Sequence, residues 1–154
     1  MKVHPALAAF PTQPEAEIAR LALDLRRDGL VNPIVRYEGM VLDGRARLVA
    51  CERAGIEPKL YDSVRDDTVC FVLQANSGRQ LTPAQRAIAA ARLARAWKAA
   101  GSSAGSRDRT ELAARSLGVS RASAFRAEQL LDGPPEVVRA VEEGRMRLHE
   151  ALRS

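Results

Sequence analysis

Two places in this sequence combine residue types and spacing that can do chemistry. The first is Ser120-Arg121-Ala122-Ser123-Ala124-Phe125-Arg126, inside the run from Thr110 to Leu131. On a helix that begins at Ser120, the side chains of Ser120, Arg121, Phe125 and Arg126 point outward near the N-terminal half. Arginines so placed reach guanine edges or phosphates, and a hydroxyl at a helix N-terminus suits a phosphate oxygen. The second is Asp43-Gly44-Arg45-Ala46-Arg47, with Asn76 and Arg79 further on. Gly44 lets backbone amides approach a ligand. A helix starting at Arg45 offers N–H groups and a positive dipole end, and Arg45 and Arg47 add cationic donors. Asn76 and Arg79 can form the other wall of an anion site. Asp43 can hold a metal ion or simply cap the helix, the commoner job of an Asp there. Arg47 and Arg79 have a structural alternative, pairing with Asp24, Glu52 or Asp62.

Other chemistry is thin. His4 and His149 are isolated, so no zinc set is visible. The serines have no His-Asp partner pattern. Cys51 and Cys70 read as reduced thiols in a chain long enough to fold without a disulfide. Trp97 suits helix packing better than base stacking.

The elements that must position these residues follow from periodicity and punctuation. Thr110 is expected to cap a helix through Leu117, Gly118 to make a tight turn, and Val119 to plug the space between two helices. Ser120 caps the next helix, which runs to about Leu131 with Ala124, Ala127 and Leu131 facing inward. This is the two-helix unit whose second member enters a major groove; the other reading is a plain helical hairpin. Upstream, Thr82-Pro83-Ala84-Gln85 joins an N-cap Thr, a Pro at the first helical position and a Gln three residues after the cap. That helix should reach about Ala99, with Arg92, Arg95 and Lys98 on one side and Ile88, Ala91, Ala94 and Trp97 on the others. Gly101 to Ser106 reads as a flexible loop.

The first 80 residues mix strands and helices at short intervals. Ile18, Leu21, Ala22 and Leu25 form an apolar stripe on a helix over 14–28, stopped by a left-handed Gly29 with Leu30 as its apolar clasp. Pro33 to Tyr37 and Met40 to Leu42 form a β-hairpin about Glu38-Gly39. A helix over 45–54, stopped by Gly55, a strand at 59–61 and a helix from Asp66 to about Gln74 complete the pattern. The fold class is therefore α+β: a mixed sheet-and-helix domain over 1–80, followed by an all-α domain over 81–154.

Charge divides the chain in the same way. Residues 1–80 are neutral overall, and residues 81–154 carry the whole excess of +5. Between 81 and 127 nine basic residues (Arg86, Arg92, Arg95, Lys98, Arg107, Arg109, Arg115, Arg121, Arg126) face two acidic ones, Asp108 and Glu111. Such a segment is the electrostatic footprint of a polyanion binder. The alternative is a solvated helical face in an arginine-rich proteome, since Arg outnumbers Lys 21 to 3. No apolar run approaches the ~20 residues that span a bilayer. Pro5 and Pro11 interrupt the only N-terminal apolar stretch, so a signal peptide is not expected. The expected setting is the cytoplasm.

The order of these motifs resembles the ParB family, partition and nucleoid-occlusion-type proteins whose N-terminal half has the ParB/sulfiredoxin fold. The resemblance covers about residues 1–150. It is carried by Gly29-Leu30-Val31-Asn32-Pro33-Ile34-Val35, by Leu42 to Leu48 with Ala50, Ala54 and Gly55, and by Asn76-Ser77-Gly78-Arg79 before Leu81-Thr82-Pro83. The helix-turn-helix follows, and then Pro134 to Val138 and Gly144 to Leu148. The resemblance implies a nucleotide-contacting turn at Asp43, Gly44, Arg45 and Arg47 with Asn76 and Arg79, taking CTP or another NTP with Mg. Partition members show Gly-Glu-Arg-Arg where this chain has Gly44-Arg45-Ala46-Arg47, and an acid where it has Ala75. Sulfiredoxins carry a catalytic Cys where it has Arg45. The C-terminal dimerisation domain of long members is expected to be missing.

Two function classes follow. One is a DNA-binding partition or regulatory protein, nucleotide-modulated, whose implied partners are duplex DNA, a second copy of the chain and a partition ATPase. Paired half-sites favour symmetric readers. The other is a nucleotide-using enzyme of the same fold: an NTPase of CTPase type, a small-molecule kinase or a nuclease.

Overall fold

The computed structural model describes residues 1–64, 67–101 and 106–153. It shows a small mixed sheet with helices, followed by helices, which is an α+β arrangement. The chain divides into two compact units: residues 1–7 with 12–75, and residues 8–11 with 76–154.

A single turn, α1 (Pro5–Ala8), precedes α2 (Glu15–Asp28) of the first unit. Glu15 and Glu17 lie at the positive end of the α2 dipole, and Arg26 and Arg27 at its negative end. Ile18, Ala22 and Leu25 are buried along one stripe, with Leu21 packed against it. Gly29 ends the helix at φ +74°, ψ 178°. That conformation is open essentially to Gly alone, but it is extended rather than left-handed helical as the sequence suggests. Leu30 is buried behind it.

β1 (Ile34–Tyr37) and β2 (Met40–Asp43) pair antiparallel, closed by Tyr37 opposite Met40. Glu38 and Gly39 both take positive φ, +48° and +75°, as a two-residue type I′ hairpin requires. α3 (Arg45–Ala54) follows at once and stops at Gly55, which is left-handed. Its Ala50 and Cys51 are fully buried against the α2 stripe. β3 (Leu60–Asp62) then pairs parallel to β1, giving the order β2-β1-β3. α4 (Thr68–Ala75) buries Val69 and Val72; the expected start of that helix, Asp66, lies outside the described residues.

In the second unit α5 (Pro83–Ala99) is the central rod. Thr82 accepts from the Gln85 N–H and Gln85 accepts from the Thr82 N–H, closing the expected capping box. Ala87 to Ala91, Leu93 and Ala94 are all buried, so this helix is apolar nearly all round, the mark of a core helix. Around it lie α6 (Ser106–Ser116), α7 (Arg121–Leu130), α8 (Pro135–Glu142) and the short α9 (Leu148–Ala151). The core joins Ala87, Ile88 and Ala91 to Ala127, Leu130, Val138 and Val141. Part of the expected loop, 102–105, lies outside the described residues. No helix is long and apolar enough to cross a membrane among those residues.

Candidate nucleic-acid interface

α6 and α7 meet through a four-residue turn whose geometry follows from its sequence. Gly118 sits at φ +62°, a conformation that costs a residue with a Cβ about 1–2 kcal/mol. The Leu117 N–H donates to Ala113 O at 3.2 Å and the Val119 N–H to Ala114 O at 3.0 Å, so the end of α6 is satisfied as the chain reverses. Ala113 and Ala114 are buried and small, which lets a second helix cross closely. Ser120 is the N-cap of α7, its hydroxyl accepting from the Ser123 N–H at 3.1 Å.

Two expectations for this unit are corrected. Thr110 is no cap: α6 starts four residues earlier, at Ser106, with Asp108 in its first turn to complement the dipole. Thr110 is instead buried, its hydroxyl donating to Glu128 Oε2 at 3.2 Å and tying α6 to α7. The inward residue at the end of α7 is Leu130; Leu131 caps the helix and packs only at the edge of the core.

α7 turns Ala124, Ala127 and Leu130 inward and leaves Arg121, Phe125 and Arg126 exposed. Arg121 and Phe125 are one turn apart on the same face, with Arg126 beside Phe125. Phe125 is 55% exposed. Neither arginine has an ion pair or side-chain hydrogen bond among the described residues. Several other cations of the basic segment are committed, while Lys98 on α5 is exposed with no ion pair among the described residues. Arg92 pairs with Glu142, and Arg95 pairs with Asp132 at 2.7 Å while donating to Glu128 O at 2.9 Å. Arg115 pairs with Glu111 at 3.5 Å, and Arg109 is buried. The Arg107 side chain lies outside the described residues. The cationic character counted along the sequence is thus narrower in space, kept by Arg121 and Arg126 on α7 and by Lys98 on α5. Arg86 adds to that region: its Nη1 sits 3.4 Å from where a Cβ on Gly118 would stand, and its Nε is buried without a hydrogen-bond partner. Arg147 and His149 share a cleft with Arg126. Sequence reading missed both, because their place beside α7 depends on the return of the chain after α8.

The other candidate set is divided between the units. In the first, Gly44 takes φ +92°, ψ +26° as the N-cap of α3, with no side-chain cap. Asp43 does not cap: its Oδ2 accepts from Arg47 Nη2 at 2.6 Å. The Arg47 guanidinium lies over Gly44, with Nε and Nη2 each 2.9 Å from where a Cβ would stand, and Nε has no hydrogen-bond partner. The partner of Arg47 is therefore the neighbouring Asp43, while Asp24 lies against Arg27 and Asp62 against Arg36. Arg45 is half-buried at the first position of α3. Burial pushes the Cys51 thiol up, against the opposing charge of Arg47, which makes it a poor nucleophile. In the second unit Arg79 donates to Pro11 O at 2.8 Å and, at 3.4 Å, to Asn76 Oδ1, so these two residues are brought together. No cluster of His, Cys, Asp and Glu that could hold a metal ion occurs among the described residues.

No family model matches the sequence, and no curated protein matches it. Among solved structures, the chain is similar to the C-terminally truncated chromosome-partitioning protein ParB from Caulobacter crescentus, complexed with CTP-gamma-S. The identity is 20% and the TM-score 0.41, over 92% of this chain and 79% of that one.

Proposed function

We propose that this chain binds duplex DNA through α6 and α7, with α7 as the reading helix, and acts in partition or transcriptional regulation. One observation carries the reading: Arg121 and Arg126 stand exposed and unpaired on either side of a 55% exposed Phe125, while Arg92, Arg95 and Arg115 each have a carboxylate. An unpaired guanidinium is desolvated by DNA at no cost in internal ion pairs, and its two parallel donors match guanine O6 and N7 or a phosphate. Ser120 fixes where α7 begins; with its hydroxyl held in the cap, its role is to aim the helix rather than to read bases. Phe125 offers an apolar surface to a thymine methyl.

A bound triphosphate at Asp43, Gly44, Arg45 and Arg47 would add nucleotide modulation to this reading. It requires Arg47 to exchange Asp43 for a phosphate oxygen and to uncover Gly44. Selection of bound sequences from a random duplex pool, with and without CTP and Mg, tests both levels. Enrichment of a short motif is the expected result. Failure to retain any duplex at ~50 mM salt, where phosphate attraction is strong, refutes the DNA reading.

A further inference from the structure

Beside α7 the second unit holds a cleft of about 430 Å³ that shares Arg126 with the DNA reading. Its volume falls in the range of small-molecule sites. Its apolar lining includes the partly buried Ala84, Met146 and Leu148 beside the fully buried Ala87, and its charged and polar lining includes the exposed Arg126, Arg147 and His149. No carboxylate lines it. Neither Arg126 nor Arg147 has an ion pair among the described residues.

The cleft is built rather than incidental. Gln85 Nε2 donates to Glu142 O at 2.9 Å, tying α5 to the end of α8. The chain then reverses through Gly144 at φ +74°, and the N–H groups of Arg145 and Met146 both donate to Ala140 O. This fixes the wall that carries Met146 and Leu148. The N-terminus of α5 offers few donors to an anion, because Pro83 has no N–H and the Thr82 and Gln85 N–H groups are engaged in the capping box. Charge selectivity therefore rests on the guanidinium groups.

We propose that this cleft binds a small amphipathic anion, a molecule with an apolar body and a carboxylate-type head, and that occupation withdraws Arg126 from DNA. A phosphodiester backbone has no apolar body to cover Met146 and Leu148, whereas a fatty or aryl acid has one. Only the second half of the proposal rests on the DNA reading. Methionine in the lining suits an apolar group of variable shape.

Titrating the full chain with decanoate, followed by amide ¹H–¹⁵N spectra, tests the site. Saturable shifts centred on Ala87, Met146 and Leu148 are expected at sub-millimolar decanoate, with decanol binding about ten-fold more weakly. Arg147→Glu, an exposed and unpaired position, should weaken decanoate about ten-fold (~1.4 kcal/mol). Lys59→Glu in the other unit should leave it unchanged. Absent or scattered shifts, or equal binding of decanol and decanoate, overturn the site. For the second half, decanoate at about ten times its Kd should weaken binding of a labelled duplex, by up to as much as Arg126→Ala does. Unchanged duplex affinity with the cleft filled overturns the coupling alone. If the chain binds no duplex at all, the coupling falls with the DNA reading, and the spectra still decide the site.

Discussion

Replacing Arg121 and Arg126 together by Ala separates recognition from stability in one experiment. Both side chains are exposed and unpaired, so their loss should cost within about 0.5 kcal/mol of stability, as for other surface substitutions. Arg92→Ala is the contrasting control. The Arg92 and Glu142 side chains are 29% and 19% exposed, and removing the arginine leaves Glu142 half-buried without its partner. That should cost about 1–3 kcal/mol, a fall of several degrees in Tm for a chain of this size. For DNA the order reverses. If both arginines contact phosphates, the salt slope weakens by about 0.9 for each. Between ~50 and ~200 mM salt each lost phosphate contact removes a factor of about 3.5, so the pair removes about twelve-fold of the salt sensitivity. If they read guanine edges, the slope is nearly unchanged, and discrimination against mismatched sites falls by ~1–3 kcal/mol for each arginine. Fluorescence anisotropy across a salt series, with matched and mismatched duplexes from the selection, distinguishes the two. The reasoning is refuted if the double variant binds as the parent does, or if its Tm falls as far as that of Arg92→Ala.

The remaining predictions concern the turns and the N-terminus. Gly118→Ala should cost about 1–2 kcal/mol from its positive φ, with little added by crowding, since the nearest atom is the end of the flexible Arg86 side chain; Gly118→Asn should cost less, and equal denaturation midpoints for all three proteins count against the turn assignment. His4 has its pKa held below the ordinary 6.5 by burial, against the opposing charge of Glu38, and its Nδ1 accepts from the Ala6 N–H at 3.2 Å. The unfolded chain therefore binds more protons below pH 6.5, so this contribution is fully present above that value and is lost as pH falls towards the lowered folded pKa. The drop in Tm from pH 7 to 5 should be smaller in His4→Asn, whose side-chain oxygen can still accept from Ala6, and a larger drop would show that the sign is wrong. Asp43→Asn should enlarge the thermal shift produced by CTP, ATP or GTP with Mg, because it removes the carboxylate that Arg47 must leave; loss of a shift seen in the parent would instead give Asp43 a metal-binding role.

What was legible in the sequence was local. The Thr82–Gln85 box, the Ser120 cap, the Gly55 stop and the Glu38-Gly39 turn are each decided by chemistry within four residues, and each stands where the residues place it. The parallel pairing of β3 to β1 joins Ile34 to Leu60 across 26 positions, and periodicity carries no trace of it. The role of Thr110 depends on Glu128, 18 positions away on another helix. A Thr before an apolar run looks like a cap until the polar turn ahead of it proves helical. The Asp43–Arg47 pair is of another kind: its i,i+4 spacing at a helix start is local and readable, and it takes precedence over the remote acids Asp24, Glu52 and Asp62.

The basic segment shows why a charge count along the chain and a charge on the surface differ. Nine cations against two acids suggests a broad positive face, but Glu142 and Asp132, beyond the counted window, neutralise Arg92 and Arg95. Spacing along one helix does not decide the matter: Arg92 and Arg95 have no acid three or four residues away, yet acids from elsewhere in the unit reach both. Arg115 has Glu111 four residues before it and pairs with it. The positions three and four residues from Arg121 hold Leu117, Gly118, Ala124 and Phe125, and those around Arg126 hold Ala122, Ser123, Gln129 and Leu130. No acid on α7 can reach either arginine by the helix's own geometry. Their unpaired state therefore needs two conditions together: no acid at helical spacing on α7, and no acid brought to them by another element among the described residues.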